Sequence, residues 1–177
     1  MPSTASVRSS AVDRLVAVVR QRLATASATR PRVERVEVEV EAGDPLIWLA
    51  AQAAPVRHYW HGRGTTRRVA GVGSADVIES VPDAPFANLE KRVEWLRDAP
   101  SAVRYYGGMR FALAASASDI WQPFGVARFV LPRVEYVAED GRTVLAANLV
   151  LPRDIARAGA GSLARGDRGG PERLCRN

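Results

Sequence analysis

Two long apolar stretches, residues 126–137 and 143–151, flank Glu139-Asp140-Gly141-Arg142. Asp-Gly accommodates the positive φ angles of a tight turn, so this region is predicted to fold as an antiparallel β-hairpin. A third strand is predicted over residues 103–112. It passes through Gly107-Gly108, where missing β-carbons admit a bulge or the close approach of a second backbone. A loop carrying Trp121, Pro123 and Phe124 leads from it into the hairpin. Antiparallel pairing is therefore the local default, and the remaining segments have to cover these strands.

Near the amino terminus Ser10 is placed to cap a helix, with Asp13 three residues on as a weak capping-box partner. Val12, Leu15, Val16, Val19 and Leu23 then recur at helical spacing and predict one apolar stripe for docking on the chain's own domain. Residues 36–41 alternate Val and Glu, which predicts a strand with one face buried and Glu37, Glu39 and Glu41 in water. Asp44 before Pro45 signals a short helix anchored by Leu46, Ile47, Trp48 and Leu49, since proline at the first helical position forfeits no hydrogen bond. Residues 57–61 and 67–72 predict a hairpin through Gly62-Arg63-Gly64, with its arginines solvated and Tyr59 and Trp60 buried. After a proline-bounded linker at 82–85, Asp83 is placed to cap a helix. Phe86, Leu89, Val93 and Leu96 line one side of it, while Glu90, Lys91, Arg92 and Glu94 face water. Strands, a helix and more strands make an α+β fold of antiparallel sheet with packed helices.

Several chemistries fail on spacing. His58 and His61 point to opposite faces of a strand, and no further histidine exists to complete a zinc site. Gly71-Val72-Gly73 lacks the third glycine of a dinucleotide fingerprint, with Asp76 in its place, and reads as turn geometry. Adjacent carboxylates at 37, 39 and 41 read as a solvated strand face, not as metal ligands. One cysteine, Cys175, excludes an intramolecular disulfide and fits a reducing, cytoplasmic setting. No apolar run approaches the roughly 20 residues that span a bilayer.

The net charge of +6 raises nucleic acid as a partner. Two features weaken it. All but one of the 25 basic residues are arginine, a skew typical of codon composition, and half the excess falls in residues 153–177. A non-enzymatic module binding nucleic acid through Arg63, Arg67 and Arg68 beside Tyr59 and Trp60 therefore ranks as an alternative, with no nucleic acid and no membrane expected.

Five segments in order carry a resemblance: Pro45-Leu46-Ile47-Trp48-Leu49; Tyr59-Trp60 followed by Ala70-Gly71-Val72-Gly73; Tyr106-Gly107-Gly108-Met109-Arg110-Phe111; Trp121 to Phe124; and Phe129-Val130-Leu131-Pro132 through Glu135 to Asn148. The chain resembles the amino-terminal portion of the isochorismate synthases, a branch of the chorismate-utilising enzymes. The resemblance implies that the complete enzyme isomerises chorismate to isochorismate, moving the hydroxyl from C4 to C2, for menaquinone or siderophore biosynthesis. Family members use a lysine base, a glutamate acid and Mg²⁺ held by further glutamates, all from a carboxy-terminal half. Lys91, the sole lysine, precedes the glycine pair and matches no such base, so no catalytic, cofactor-binding or metal-ligating residue carries over and no cofactor is expected on this chain.

The resemblance divides the chain into an amino-terminal segment with an amphipathic helix (1–31), the enzyme-like part (32–152) and a tail (153–177). The tail has five glycines, six arginines and no periodicity, and is expected to be disordered or loosely helical at its start, as a truncated or frame-shifted product would be. Fragments of anthranilate, aminodeoxychorismate or salicylate synthases are the related alternative. Sheet edges and apolar faces left open by an absent half predict self-association.

Overall fold

The computed structural model describes residues 4–80, 87–111 and 125–163. In chain order these form α1 (Thr4–Thr25), β1 (Arg32–Glu39), α2 (Pro45–Ala50), β2 (Arg57–His61), β3 (Arg68–Glu79), α3 (Ala87–Leu96), β4 (Tyr106–Met109), β5 (Ala127–Glu139), β6 (Arg142–Leu151) and α4 (Arg153–Leu163). The strands build one antiparallel sheet in the order β1-β6-β5-β3-β2, with β4 added to β5. The expected α+β architecture is the observed one. Among the described residues no helix is long and apolar enough to cross a membrane.

The hairpin forms at the expected place. Asp140 and Gly141 both take positive φ, 48° and 78°, and Glu139 registers with Arg142. These are the angles of the mirror-image turn whose twist matches the flanking strands. Strand β5 keeps β3 along one edge and divides the other, pairing with β6 over residues 134–139 and with β4 over 127–130. The division falls beside Pro132, which has no N–H to donate to a ladder. Side chains take over there: Asn148 Nδ2 donates to the Pro132 carbonyl at 2.8 Å, and Arg133 Nη1 donates to the Asn148 carbonyl at 2.9 Å.

Each face of the sheet is covered. On one, Leu15, Val19 and Leu23 of α1 pack with Ala70, Val72, Val134, Leu145, Ala147, Leu149 and Leu151. Trp48 of α2 stacks on Tyr136 there, ring centroids 5.6 Å apart. Asp44 caps α2 as expected, accepting from the Leu46 N–H at 2.7 Å. On the other face Val33, Leu131 and Val150 meet Trp95 and Leu96 of α3.

Local expectations are corrected in several places. Helix α1 begins at Thr4, so Ser10 lies inside it and is no cap. Its inward line is Ala11, Leu15, Val19 and Leu23, a strict four-residue repeat that leaves Val12 exposed. Gly71-Val72-Gly73 is not a turn: β3 runs on to Glu79, absorbing a positive φ at Gly73 and a register shift between Ser74 and Asp76. Helix α3 is rotated from its apolar reading. Val93 is exposed while Arg92 turns inward, bonding Asp76 at 2.7 Å and lying over the Trp95 ring at 3.8 Å. Phe86, Asp83 and the loop with Trp121, Pro123 and Phe124 lie outside the described residues.

The strand expected over 103–112 is the four-residue β4. A β-carbon at Gly107 would sit 1.9 Å from the Arg128 carbonyl oxygen, whereas one at Gly108 would meet nothing within 4 Å. The close backbone approach anticipated at this glycine pair is thus made by Gly107 alone. Gly107→Ala is expected to destabilise the fold by about 1–3 kcal/mol through forced backbone displacement. Gly108→Ala should be neutral or stabilise by roughly 0.5 kcal/mol by restricting the unfolded chain. Urea unfolding of the two variants separates these outcomes, and equal effects would refute the close approach.

Candidate functional site

Ionisable groups collect on the sheet face that α3 covers. Along β5, Leu131, Arg133, Glu135 and Val137 share this face by strand alternation. Arg35 on β1 registers with Asn148 on β6, and Glu135 registers with Ala146 and Gly71 on its two neighbours. The small Ala146 lets Arg35 reach across β6. Its Nη1 bonds the Glu135 carboxylate and lies 3.2 Å from Asn148 Oδ1, while Nε bonds Glu37 at 2.7 Å. Glu135 and Asn148 are fully buried, and the Arg35 side chain is 2% exposed.

Arg67 enters the same region from the start of β3. Its Nη1 is 2.5 Å from Glu139 Oε2 and its Nη2 3.5 Å from the Tyr106 hydroxyl, against which the Trp60 ring packs. Burial pushes the Glu135 carboxyl above the usual carboxylate range, and Arg35, Arg67 and Asn148 offset this in part. Burial raises Tyr106 as well, assisted by the charge on Glu135 and opposed by Arg67. Glu135 Oε1, Arg35 Nη2 and Arg67 Nε are buried without a hydrogen-bond partner.

A second cluster centres on buried Asp76, which accepts from Arg92 and, at 2.8 Å, from the Tyr105 hydroxyl. Burial and that carboxylate raise the Tyr105 phenol well above its ordinary value. Arg153 lies 3.8 Å from Asp76 and also donates to the Ala75 carbonyl. Next to it, Arg133 and Asp154 form a buried pair with contacts of 2.6 and 3.3 Å, and Asp154 accepts from the Val150 N–H at 2.7 Å. This pair anchors α4, eleven residues of regular helix at the start of a tail expected to be disordered or loosely helical there. The helix is held by this charge pair and by Ile155, which packs against the core on the α1 side. Residues 164–177 lie outside the described part.

These groups join strands to one another instead of presenting reactive atoms. Glu135 is sealed from solvent, so it cannot reach a substrate proton in this arrangement. A surface depression of about 400 Å³ lies at the hairpin, lined by Glu39, Val40, Asp140, Gly141, Arg142 and Thr143. Its arginine already serves Glu39 at 2.8 Å and Glu37 at 3.4 Å. Glu37 is therefore ion-paired and half-buried, not a freely solvated carboxylate.

His58 and His61 lie on β2 at positions of opposite facing, as their spacing requires. Among the described residues no group of three or more His, Cys, Asp or Glu is gathered to hold a metal ion. In the β2–β3 hairpin Arg63 is exposed as expected, but Arg67 is buried, while Tyr59 and Trp60 are 39% and 38% exposed. Lys91 is exposed on α3. Sequence reasoning missed Arg35, Arg133, Glu135, Asn148 and Asp154 as a group. The available signal was charge and amide at positions that strand alternation turns inward.

The model of the chorismate binding enzymes matches residues 19–162, and the chain belongs to that family. Among its relatives, isochorismate synthase 2, chloroplastic, of Arabidopsis thaliana is 30% identical over 90 residues, which is 50% of this chain and 16% of that protein. The solved structure of MenF, the menaquinone-specific isochorismate synthase of Escherichia coli, matches 85% of this chain with a TM-score of 0.54 and 19% identity. That likeness bears on fold, and the chain spans 33% of MenF.

A raised folded-state carboxyl pKa means that ionised Glu135 opposes folding. As pH falls from neutral toward the unfolded value near 4.3, folded Glu135 takes up its proton first and its contribution to stability rises. Glu34 and Glu37 carry the opposite sign. Burial raises both, but Arg22 and Arg32 at Glu34, and Arg35 and Arg142 at Glu37, hold them lower, so they lose stabilisation in acid. The unfolding midpoint of wild type minus that of Glu135→Gln is expected to increase as pH falls from 7 toward 5. A constant difference would contradict the assignment.

Proposed function

We propose that this chain is the amino-terminal framework of an isochorismate synthase, whose complete form converts chorismate to isochorismate. The observation that carries this reading is the family match over residues 19–162 together with isochorismate synthases as relatives in both sequence and fold. The isomerisation needs a base to activate water for attack at C2 and an acid to protonate the hydroxyl leaving C4. On this reading both come from the two-thirds of the family fold that the chain does not span, as do the carboxylates for Mg²⁺. When bound, that ion would hold the substrate carboxylate.

What the chain's own residues supply is a rigid support. The Arg35–Glu135–Asn148 and Arg133–Asp154 contacts fix β1, β5, β6 and α4 together. Menaquinone or siderophore assembly as the consuming pathway, and a cytoplasmic location, belong to the same proposal. The Arabidopsis relative is itself described as chloroplastic.

Anthranilate, aminodeoxychorismate and salicylate synthases remain the related second reading, with less support because both relatives named above are isochorismate synthases. Nucleic-acid binding is disfavoured by the engagement of Arg22, Arg32, Arg35, Arg67, Arg92, Arg128, Arg133, Arg142 and Arg153 in ion pairs within the chain. Few of these cations are left for phosphates.

Incubating the purified 177-residue chain with chorismate and Mg²⁺ is expected to yield no isochorismate by chromatography, and turnover would overturn the framework reading. Translating the DNA beyond the Asn177 codon in all three frames is expected to reveal a continuation bearing the family's lysine and glutamates. Finding none would count against descent from a complete synthase.

A further inference from the structure

The β1 and β2 edges of the sheet differ in how they meet water. Flanking β2, Gly62 N donates to the Arg67 carbonyl and Gly73 N of β3 to the Val56 carbonyl. Antiparallel hydrogen-bonded pairs recur at every second residue, so with the β2–β3 register the bonded pairs are Val56/Gly73, His58/Gly71, Trp60/Val69 and Gly62/Arg67. The N–H and C=O groups of Arg57, Tyr59 and His61 therefore point outward, and no described strand pairs with them. Exposed apolar side chains flank this edge: Leu46 and Ile47 on the adjoining α2, Val56, Tyr59 and Trp60.

Strand β1 is guarded instead. Val40 N donates to the Thr143 carbonyl, which turns the backbone groups of Arg35, Glu37 and Glu39 outward along its edge. The Glu39 carbonyl is taken by Arg14 of α1 at 2.9 Å, and Arg142 bonds the Glu39 side chain. Charged side chains and a covering helix are the usual devices that keep an edge from pairing.

We propose that β2 is a self-association edge, pairing antiparallel with β2 of a second copy of this chain about a twofold axis through Tyr59. This inference is independent of the reaction assigned to the family. In that register Arg57 faces His61 of the second copy, Tyr59 faces Tyr59, and all outward backbone donors meet outward acceptors. The edge is thus self-complementary, as a twofold interface requires. The two tyrosines form a cross-strand aromatic pair. The exposed portions of Leu46, Ile47, Val56, Tyr59 and Trp60 total on the order of 1,000 Å² over two copies, so even their complete burial only reaches the lower limit of about 1,000 Å² for a specific interface. A reversible dimer follows, not an obligate one.

Sedimentation equilibrium on the full 19.2 kDa chain tests this. The wild type is expected to shift from monomer toward twice that mass as concentration rises to ~100 μM, a range suited to a small interface. A monomer throughout would refute the proposal. Tyr59→Lys places like charges across the twofold and should weaken the dimer at least about tenfold, while Glu39→Lys on the opposite edge should not. An unchanged Tyr59→Lys dimer, or a monomeric Glu39→Lys protein, would move the interface elsewhere. If Tyr59→Lys loses its far-UV circular dichroism, cysteine cross-linking decides in a Cys175→Ser background. Facing positions at about 5.5 Å between Cα atoms admit a disulfide. Tyr59→Cys should form a covalent dimer under oxidised glutathione and Glu39→Cys should not. No cross-link at position 59, or equal cross-linking at both, would overturn the assignment.

Discussion

Strand β5 has to serve two neighbours on one edge, and its change of partner beside Pro132 is the constraint on which the rest of the sheet depends. The ladder to β6 ends at Val134, and Pro132, in register with Ser74 of β3, has no N–H to give that neighbour. The strands part there, leaving backbone groups in the interior that would each cost about 1–3 kcal/mol if unpaired. Asn148 and Arg133 supply the missing bonds from their side chains. The gap so opened is what lets β4 come alongside β5, with Gly107 against the Arg128 carbonyl. A β-carbon at 107 or an apolar residue at 148 acts on the same junction from opposite sides.

Once Arg133 and Asn148 are committed to the junction, their remaining polar capacity must also be met. Arg133 meets Asp154, and Asn148 Oδ1 meets Arg35, which in turn meets Glu135. Buried ion pairs of this kind return little net stability, because desolvation consumes most of the Coulombic gain. Their effect is on geometry. Arg35 lies on β1, Asn148 on β6 and Glu135 on β5, so a slip of either pairing by one residue would put a charge on the apolar α1 face. Val–Val and Leu–Leu contacts in the core tolerate such shifts far better than a carboxylate does.

How far the fold could be read from residues follows from which interactions are local. Asp140-Gly141 and Asp44-Pro45 are turn and cap chemistry contained within four residues, and both form where their sequence says. Gly107 was legible as a close approach, although what approaches is 21 residues away and only the structure identifies it as Arg128. The helix faces of α1 and α3 were less legible, because apolar spacing ignores polar anchors. Arg92 turns inward to reach Asp76 and carries Val93 out to solvent. Helix α4 was expected as no more than a loosely helical start to the tail, because Asp154 fixes it through Arg133, a partner 21 positions away. The polar cluster at Glu135 was invisible as a cluster, since its members come from β1, β5 and β6 and meet only after pairing.

A sheet organised this way is suited to supporting chemistry performed elsewhere. Catalytic groups need to be held within a fraction of an ångström, and elements locked by internal hydrogen bonds hold better than loops. Here the locks are spent on the sheet's own junction, with Glu135 fully enclosed and Asp76 occupied by Arg92 and Tyr105. An active site that drew on either carboxylate would have to break the contacts that keep β5 in register. On the proposed framework reading, rigidity and reactivity fall to different residues: this part keeps its charges buried, and the reactive groups would be mounted on other strands.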